Sequence, residues 1–129
     1  MSRVGAKDTE PELAVRRLLH SMGFRFRLHR EDLIGRPDVV LPKYHTAIFV
    51  HGCFWHGHEC PRGKRPTTRT SFWNDKIDKN VQRDRRVQRK LREEGWHVMV
   101  IWQCQTKNGE RLRKRLERIR RYDDEWTTA

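Results

Sequence analysis

The sequence predicts an α/β chain whose elements run αβββαβα, a mixed sheet with helices on both faces. Three observations carry this. Two short apolar runs, "DVVL" (38–41) and "AIFV" (47–50), flank a turn, as paired strands do. A third run, "WHVMVIWQC" (96–104), is apolar almost without a break, as strands buried on both faces are. Stretches with the helical spacing of apolar residues lie between and around them, and such interleaving puts helices on both sides of a sheet.

The elements follow in order. Thr9 can cap a first helix, with Pro11 early in it and Glu12 closing a capping box. Val15, Leu18, Leu19 and Met22 form its apolar face, and Gly23 is its stop. "FRFRLH" (24–29) alternates apolar and polar, the pattern of a half-buried strand. Gly35 and Pro37 break the chain, and "PKYH" (42–45) turns between the next two strands. After a polar, Pro-containing loop (61–71), residues 72–95 read as a long helix ending at Gly95. Residues 96–104 then form a central strand. Residues 109–122 form a last helix, with Leu112, Leu116 and Ile119 inward and a dense basic face outward. With no repeat and no internal linker, residues 1–129 are expected to make one domain.

The 29 Lys and Arg outweigh 17 Asp and Glu, a net charge of +12, and the excess is strongest in residues 61–129. That balance points to a polyanionic partner, most often nucleic acid; the bland alternative is a ribosome-associated or merely soluble basic protein. Five Trp argue for a folded domain rather than a basic tail. No apolar run approaches the roughly 18 residues of a membrane span. The first residues have no signal-peptide core, so a cytoplasmic protein is expected. Three Cys is an odd count, which fits a metal site better than a disulfide framework. A chain this small also gains from a metal staple.

The densest chemistry is "HGCFWHGHEC" (51–60). Cys53, His58 and Cys60 lie close together and Cys104 ends a strand, a set that fits a closed tetrahedral Zn²⁺ site. His51 and His56 compete for a place in it, and spacing does not choose. The competing reading is three buried thiols and unrelated histidines. Asp38 follows Pro37 at the head of a strand. It reads as a turn Asp or as a carboxylate holding Mg²⁺ against a phosphate. Asp84 shares a helical stripe with Ile77, Val81 and Leu91, so it needs a partner, either an Arg or a His ring nitrogen. Phe54, Trp55 and Trp73 read either as cover for a metal or as wedges between base pairs.

Taken together, "GRPDVV" (35–40), "AIFVHGCFWHGHEC" (47–60), "TRTSFW" (68–73), "NVQRDRR" (80–86), "GWHVMVIWQC" (95–104) and, more loosely, "KDTEPEL" (7–13) resemble the very-short-patch repair (Vsr) DNA mismatch endonucleases. The resemblance implies a restriction-endonuclease-like fold. It implies nicking of one strand of duplex DNA beside a T·G mismatch left by deamination of 5-methylcytosine, with catalytic Mg²⁺ and one structural zinc. Cys53, His58, Cys60 and Cys104 would hold the zinc. His51 and His56 would face the scissile phosphate, with Asp84 paired to His56. Asp38 and the Val50 carbonyl would bind Mg²⁺, with Glu12 near that site. Phe54, Trp55 and Trp73 would wedge into the DNA. "VHG" stands where the usual nuclease has a second carboxylate and a lysine, so histidines replace them. The resemblance further implies a monomer, associated with the nucleoid, with mismatch-repair proteins as further partners. Its N-terminal arm (1–8) is short, and Met1 falls where that arm would meet the minor groove. Residues 105–129 carry no motif. The alternatives are a zinc-stabilised, non-catalytic DNA-binding module and a related nuclease with another nucleic-acid substrate.

Overall fold

The computed structural model describes residues 9–122. The expected N-terminal arm and Met1 lie outside them. The described elements run in the expected order: α1 (Glu10–Ser21), β1 (Arg27–Leu28), β2 (Val39–Leu41), β3 (Thr46–His51), α2 (Thr70–Glu93), β4 (His97–Trp102) and α3 (Gly109–Glu117), with short 3-10 turns between. The four strands form one mixed sheet in the order β1-β2-β3-β4. The β1–β2 and β2–β3 pairs are antiparallel and β3–β4 is parallel.

Strand parity sets the two layers. Val39, Leu41, Ile48, Met99 and Ile101 face α1 and α3, where Val15, Leu19, Leu112 and Leu116 meet them. Ala47, Phe49, Val98 and Val100 face the other way, onto Val87 and Leu91 of α2. His51 continues the odd series of β3 and so arrives on the α2 side.

Four expectations change. "FRFRLH" does not form a strand along its length. Phe24 and Phe26 do pack on the core, but only Arg27 and Leu28 pair, because the partner strand β2 is three residues long. The apolar β4 is not central: it ends the sheet and pairs only with β3. Its apolar character reflects helices on both faces, not neighbours on both edges. Side chains cover its open edge instead. Arg115 donates to the Val100 carbonyl at 2.9 Å and Gln105 accepts from the Trp102 N–H at 3.0 Å. Thr9 does cap α1, accepting from the Glu12 N–H at 3.4 Å. The Glu12 carboxylate, however, turns to Arg16 on the next turn of α1, where it accepts at 3.0 Å, instead of closing a capping box. The long helix also starts earlier, at Thr70. None of the described helices is long and apolar enough to cross a membrane.

Candidate active site

The loop after β3 is folded by its own backbone bonds. Those from His56 N–H to Gly52 O at 3.2 Å and from His58 N–H to Cys53 O at 3.0 Å make successive turns. It lies flat on α2 because Gly57 sits at φ +67° with no side chain. An added Cβ would stand 2.8 Å from Val81 Cγ2. Two groups of side chains separate here.

The first group is the thiol knot. His51 and Trp102 are the last register pair of the parallel strands, and Cys53 and Cys104 each lie two residues further on. His58 and Cys60 return to meet them, so that all four ligand atoms lie within 4.8 Å of one another. The structure thus brings His58 to this set and takes His51 and His56 elsewhere. Cys104 Sγ is 3.6 Å from His58 Nδ1. Burial pushes the Cys53 thiol up to about 12, and the neighbouring Cys60 and Cys104 side chains add to the rise. A thiol raised in this way ionises when a cation binds beside it. Three S and one N at tetrahedral reach fit Zn²⁺.

The second group faces a cleft of about 1040 Å³ whose lining includes Glu12, Asp38, Val50, His51, His56 and Asp84. His56 Nδ1 lies 2.5 Å from Asp84 Oδ2, so the partner of Asp84 is a histidine and not an arginine. A carboxylate only accepts, which puts the ring proton on Nδ1 and leaves Nε2 for other work. The His51 ring stacks on His56 at 3.8 Å, tilted by 5°. Its Nδ1 is 4.0 Å from Asp84 and has no hydrogen-bond partner among the described residues. Burial and the adjacent His56 push His51 down to about 4, so it is neutral near pH 7.

Asp38 sits one residue before β2, where the ladder to β3 has ended. Its carboxylate accepts from the Val50 N–H at 2.7 Å in place of a backbone carbonyl. The N–H and C=O of one strand residue leave on the same side, so the Val50 carbonyl is on the Asp38 side as well. Gly35 lets the preceding loop press on α2, since a Cβ there would collide with Val87. Burial raises the Asp38 carboxyl to about 7; the Val50 N–H opposes this and Glu12 adds to it. Glu12 is buried and its carboxylate lies within 4.8 Å of Asp38. A half-buried, oxygen-only set of this kind suits Mg²⁺, which takes its remaining ligands from water and substrate.

Phe54, Trp55 and Trp73 form one aromatic cluster, with centroids 5.0 to 5.9 Å apart, and Trp55 brings it to the cleft. None of the three is the ring stacked on the knot. That ring is Trp102, 4.3 Å from His58 and edge-on to His51 at 5.3 Å. Sequence reasoning treated Trp102 only as a strand residue. It also missed Lys76, Asn80 and Arg83, which line the cleft. Lys76, Asn80 and Asp84 fall four residues apart on α2, a spacing that marks one helical face. The sequence does not single out His29 and Arg16 either; Arg16 meets Glu12 one turn along α1, and His29 meets Arg16 from beyond the end of β1.

Carboxylates from a strand head and a helix start, a histidine oriented by a third carboxylate and a cleft holding Lys76 and Arg83 define a class of site. Such a site grips a polyanion and moves a proton beside it. Comparison with known proteins gives the family. The family model described as DNA mismatch endonuclease Vsr matches residues 1–62. The type II nicking enzyme V.XorIIP of Xanthomonas oryzae pv. oryzae is 51% identical over 119 residues, covering 92% of this chain and 88% of that one. The DNA mismatch endonuclease Vsr of Escherichia coli K12 is 46% identical over 112 residues, covering 87% and 72%. The type II nicking enzyme V.NmeAIP of Neisseria meningitidis serogroup A is 44% identical over 119 residues, covering 92% and 85%. The chain belongs to the Vsr family.

Proposed function

We propose that this protein is a DNA endonuclease that nicks one strand of a duplex beside a T·G mismatch, with Mg²⁺ at Asp38 and a structural zinc in the thiol knot. One observation carries the reading: Asp38, His51, His56 and Asp84 line a single cleft, and a pure DNA-binding module has no use for that set. Family membership supports the nicking of DNA. The αβββαβα order and the mixed sheet support a restriction-endonuclease-like core. The net charge of +12 supports a polyanionic partner in the nucleoid.

Hydrolysis of a phosphodiester builds negative charge on the phosphoryl oxygens. Asp38 and the Val50 carbonyl would hold Mg²⁺, which when bound neutralises that charge. His56 Nε2 accepts or donates the proton that the reaction moves. Asp84 fixes the His56 tautomer and steadies the ring when it is charged. His51, neutral and buried, serves as a hydrogen-bond donor to the phosphate. Phe54, Trp55 and Trp73 stack on bases where a strained pair opens at low cost, so the wobble pair is selected by its ease of opening.

A panel of end-labelled duplexes with T·G or T·A in randomised flanks, incubated with Mg²⁺ or with chelator, tests the reading. Cleavage of one strand, in T·G duplexes and with Mg²⁺ only, is the expected result. Equal cleavage of T·A, cleavage in chelator, or none in any flank would overturn it.

A further inference from the structure

We propose that His29 and Arg16 form a clamp that sets Glu12 beside Asp38, which makes His29 a positioning residue of the proposed cation site. The inference rests on the reading of Asp38 given above. Ligand atoms of Glu12, His29 and Asp38 all lie within 4.8 Å of one another. At first sight that is a three-ligand metal site. Arg16 argues otherwise. Its Nη2 donates to Glu12 Oε1 at 3.0 Å and lies 3.0 Å from His29 Nε2. A guanidinium has only donors, so His29 Nε2 is the acceptor and its lone pair is engaged by Arg16. The ring therefore holds Arg16 and does not offer that nitrogen to a cation.

His29 also acts through its backbone. It ends β1 in the left-handed region, at φ +48°. From there its N–H donates to the Asp38 carbonyl at 3.2 Å. One residue thus fixes the main chain that carries Asp38 and, through Arg16, the side chain of Glu12. These carboxylates come from different elements, the first turn of α1 and the head of β2, and their charges repel. Arg16, one helical turn after Glu12 and largely buried, pairs with Glu12, and its charge also favours the ionised Asp38. Losing His29 removes an acceptor for Arg16, whereas losing Arg16 removes a positive charge as well.

Residues that orient the ligands of a metal typically change its affinity by about 10–100-fold. The test is a titration of Mn²⁺ alone into DNA-free protein, read by EPR of free Mn²⁺. The half-saturating Mg²⁺ for nicking, zinc content and melting temperature are read in parallel. His29→Leu keeps bulk and removes the acceptor. It should weaken Mn²⁺ binding by about tenfold or more and raise the Mg²⁺ requirement alike. Saturating Mg²⁺ should recover most of the rate, with zinc content unchanged and the melting temperature within a few degrees. His29→Gln, whose amide oxygen can accept from Arg16, should stay near wild type. A Leu variant that binds Mn²⁺ as wild type does, or a Gln variant as weak as Leu, overturns the clamp. Should His29→Leu not fold, Arg16→Lys serves, because both contacts are made by Nη2 and a lysine ammonium stands one bond short of that atom. It should weaken Mn²⁺ binding as well, and unchanged binding overturns the clamp. Asp38→Ala separates the two levels. If it binds Mn²⁺ as wild type does, or if wild type binds none, the reading of the site fails and the clamp with it. If only the His29 variants match wild type, the clamp alone fails.

Discussion

The loop from His51 to Cys60 serves two sites that differ in every physical respect. On one side Cys53, His58 and Cys60 turn to Cys104 and form a closed set of soft donors, with Cys53 fully buried. On the other, His51 and His56 turn to Asp84 and a cleft that also holds the oxygen donors of Asp38 and Glu12. A closed set has no place for substrate and can only hold the chain in shape. An open set leaves room for a phosphate and pays in stability, since a half-buried Asp38 resists ionisation. Trp102 lies between them, stacked on His58 and edge-on to His51, so the knot sets the ground on which the histidine rings of the cleft stand.

If the two sites are separable in this way, substitutions should sort by side of the loop. The largest effect is expected from Cys104→Ser. Structural zinc in small peptides is worth on the order of 10 kcal/mol near neutral pH. This variant should lose bound zinc and at least ~10 °C of melting temperature, checked by metal analysis and calorimetry. Next is His56→Ala, which should slow nicking by ~10²–10⁴ in single-turnover assays while zinc content holds. Asp84→Asn should cost less, since it leaves the reacting nitrogen in place. The aromatic cluster comes third. A stacked ring is worth ~1–3 kcal/mol per base, so Trp73→Ala should lose about 5–100-fold of the preference for T·G over T·A and keep its stability. Trp102→Ala should do the reverse, weakening zinc retention in a chelator challenge. A Trp73 variant that sheds zinc would show that the rings shield the knot after all.

The smallest effect is one of pH. Burial holds the Asp38 carboxyl at about 7, and a cation binds only its ionised form. Mn²⁺ affinity of the DNA-free protein should therefore rise roughly tenfold from about pH 6 to about pH 8, as isothermal titration would record. A flat profile would show that Asp38 is already ionised or does not hold the cation.

Much of this was legible in the sequence where the signal is local. The Thr9 cap, the apolar stripe of α1 and the periodicity of residues 72–95 all describe neighbours along one helix; α1, α2 and α3 start within two residues of where expected, although α3 gives way to a 3-10 turn after Glu117 and not at 122. The short Cys/His spacing gave the knot, because Cys53, His58 and Cys60 must lie together in any fold of that loop. What was lost depends on contacts between elements. The apolar run of β4 reports how much surface is covered and not where the strand lies in the sheet. Which histidine joins the thiols follows from the turn at Gly57 and the parity of β3. His29 comes from another element to meet Arg16 and Glu12, and it alone looks like an ordinary polar residue in a basic chain.

The most direct test of two separable sites on one loop is Asp38→Ala measured twice on one preparation, for bound zinc and for Mg²⁺-dependent nicking of a T·G duplex. The expected result is a full zinc complement, duplex binding as in wild type, and nicking reduced beyond detection. Zinc lost together with activity, or nicking at the wild-type rate, would contradict it.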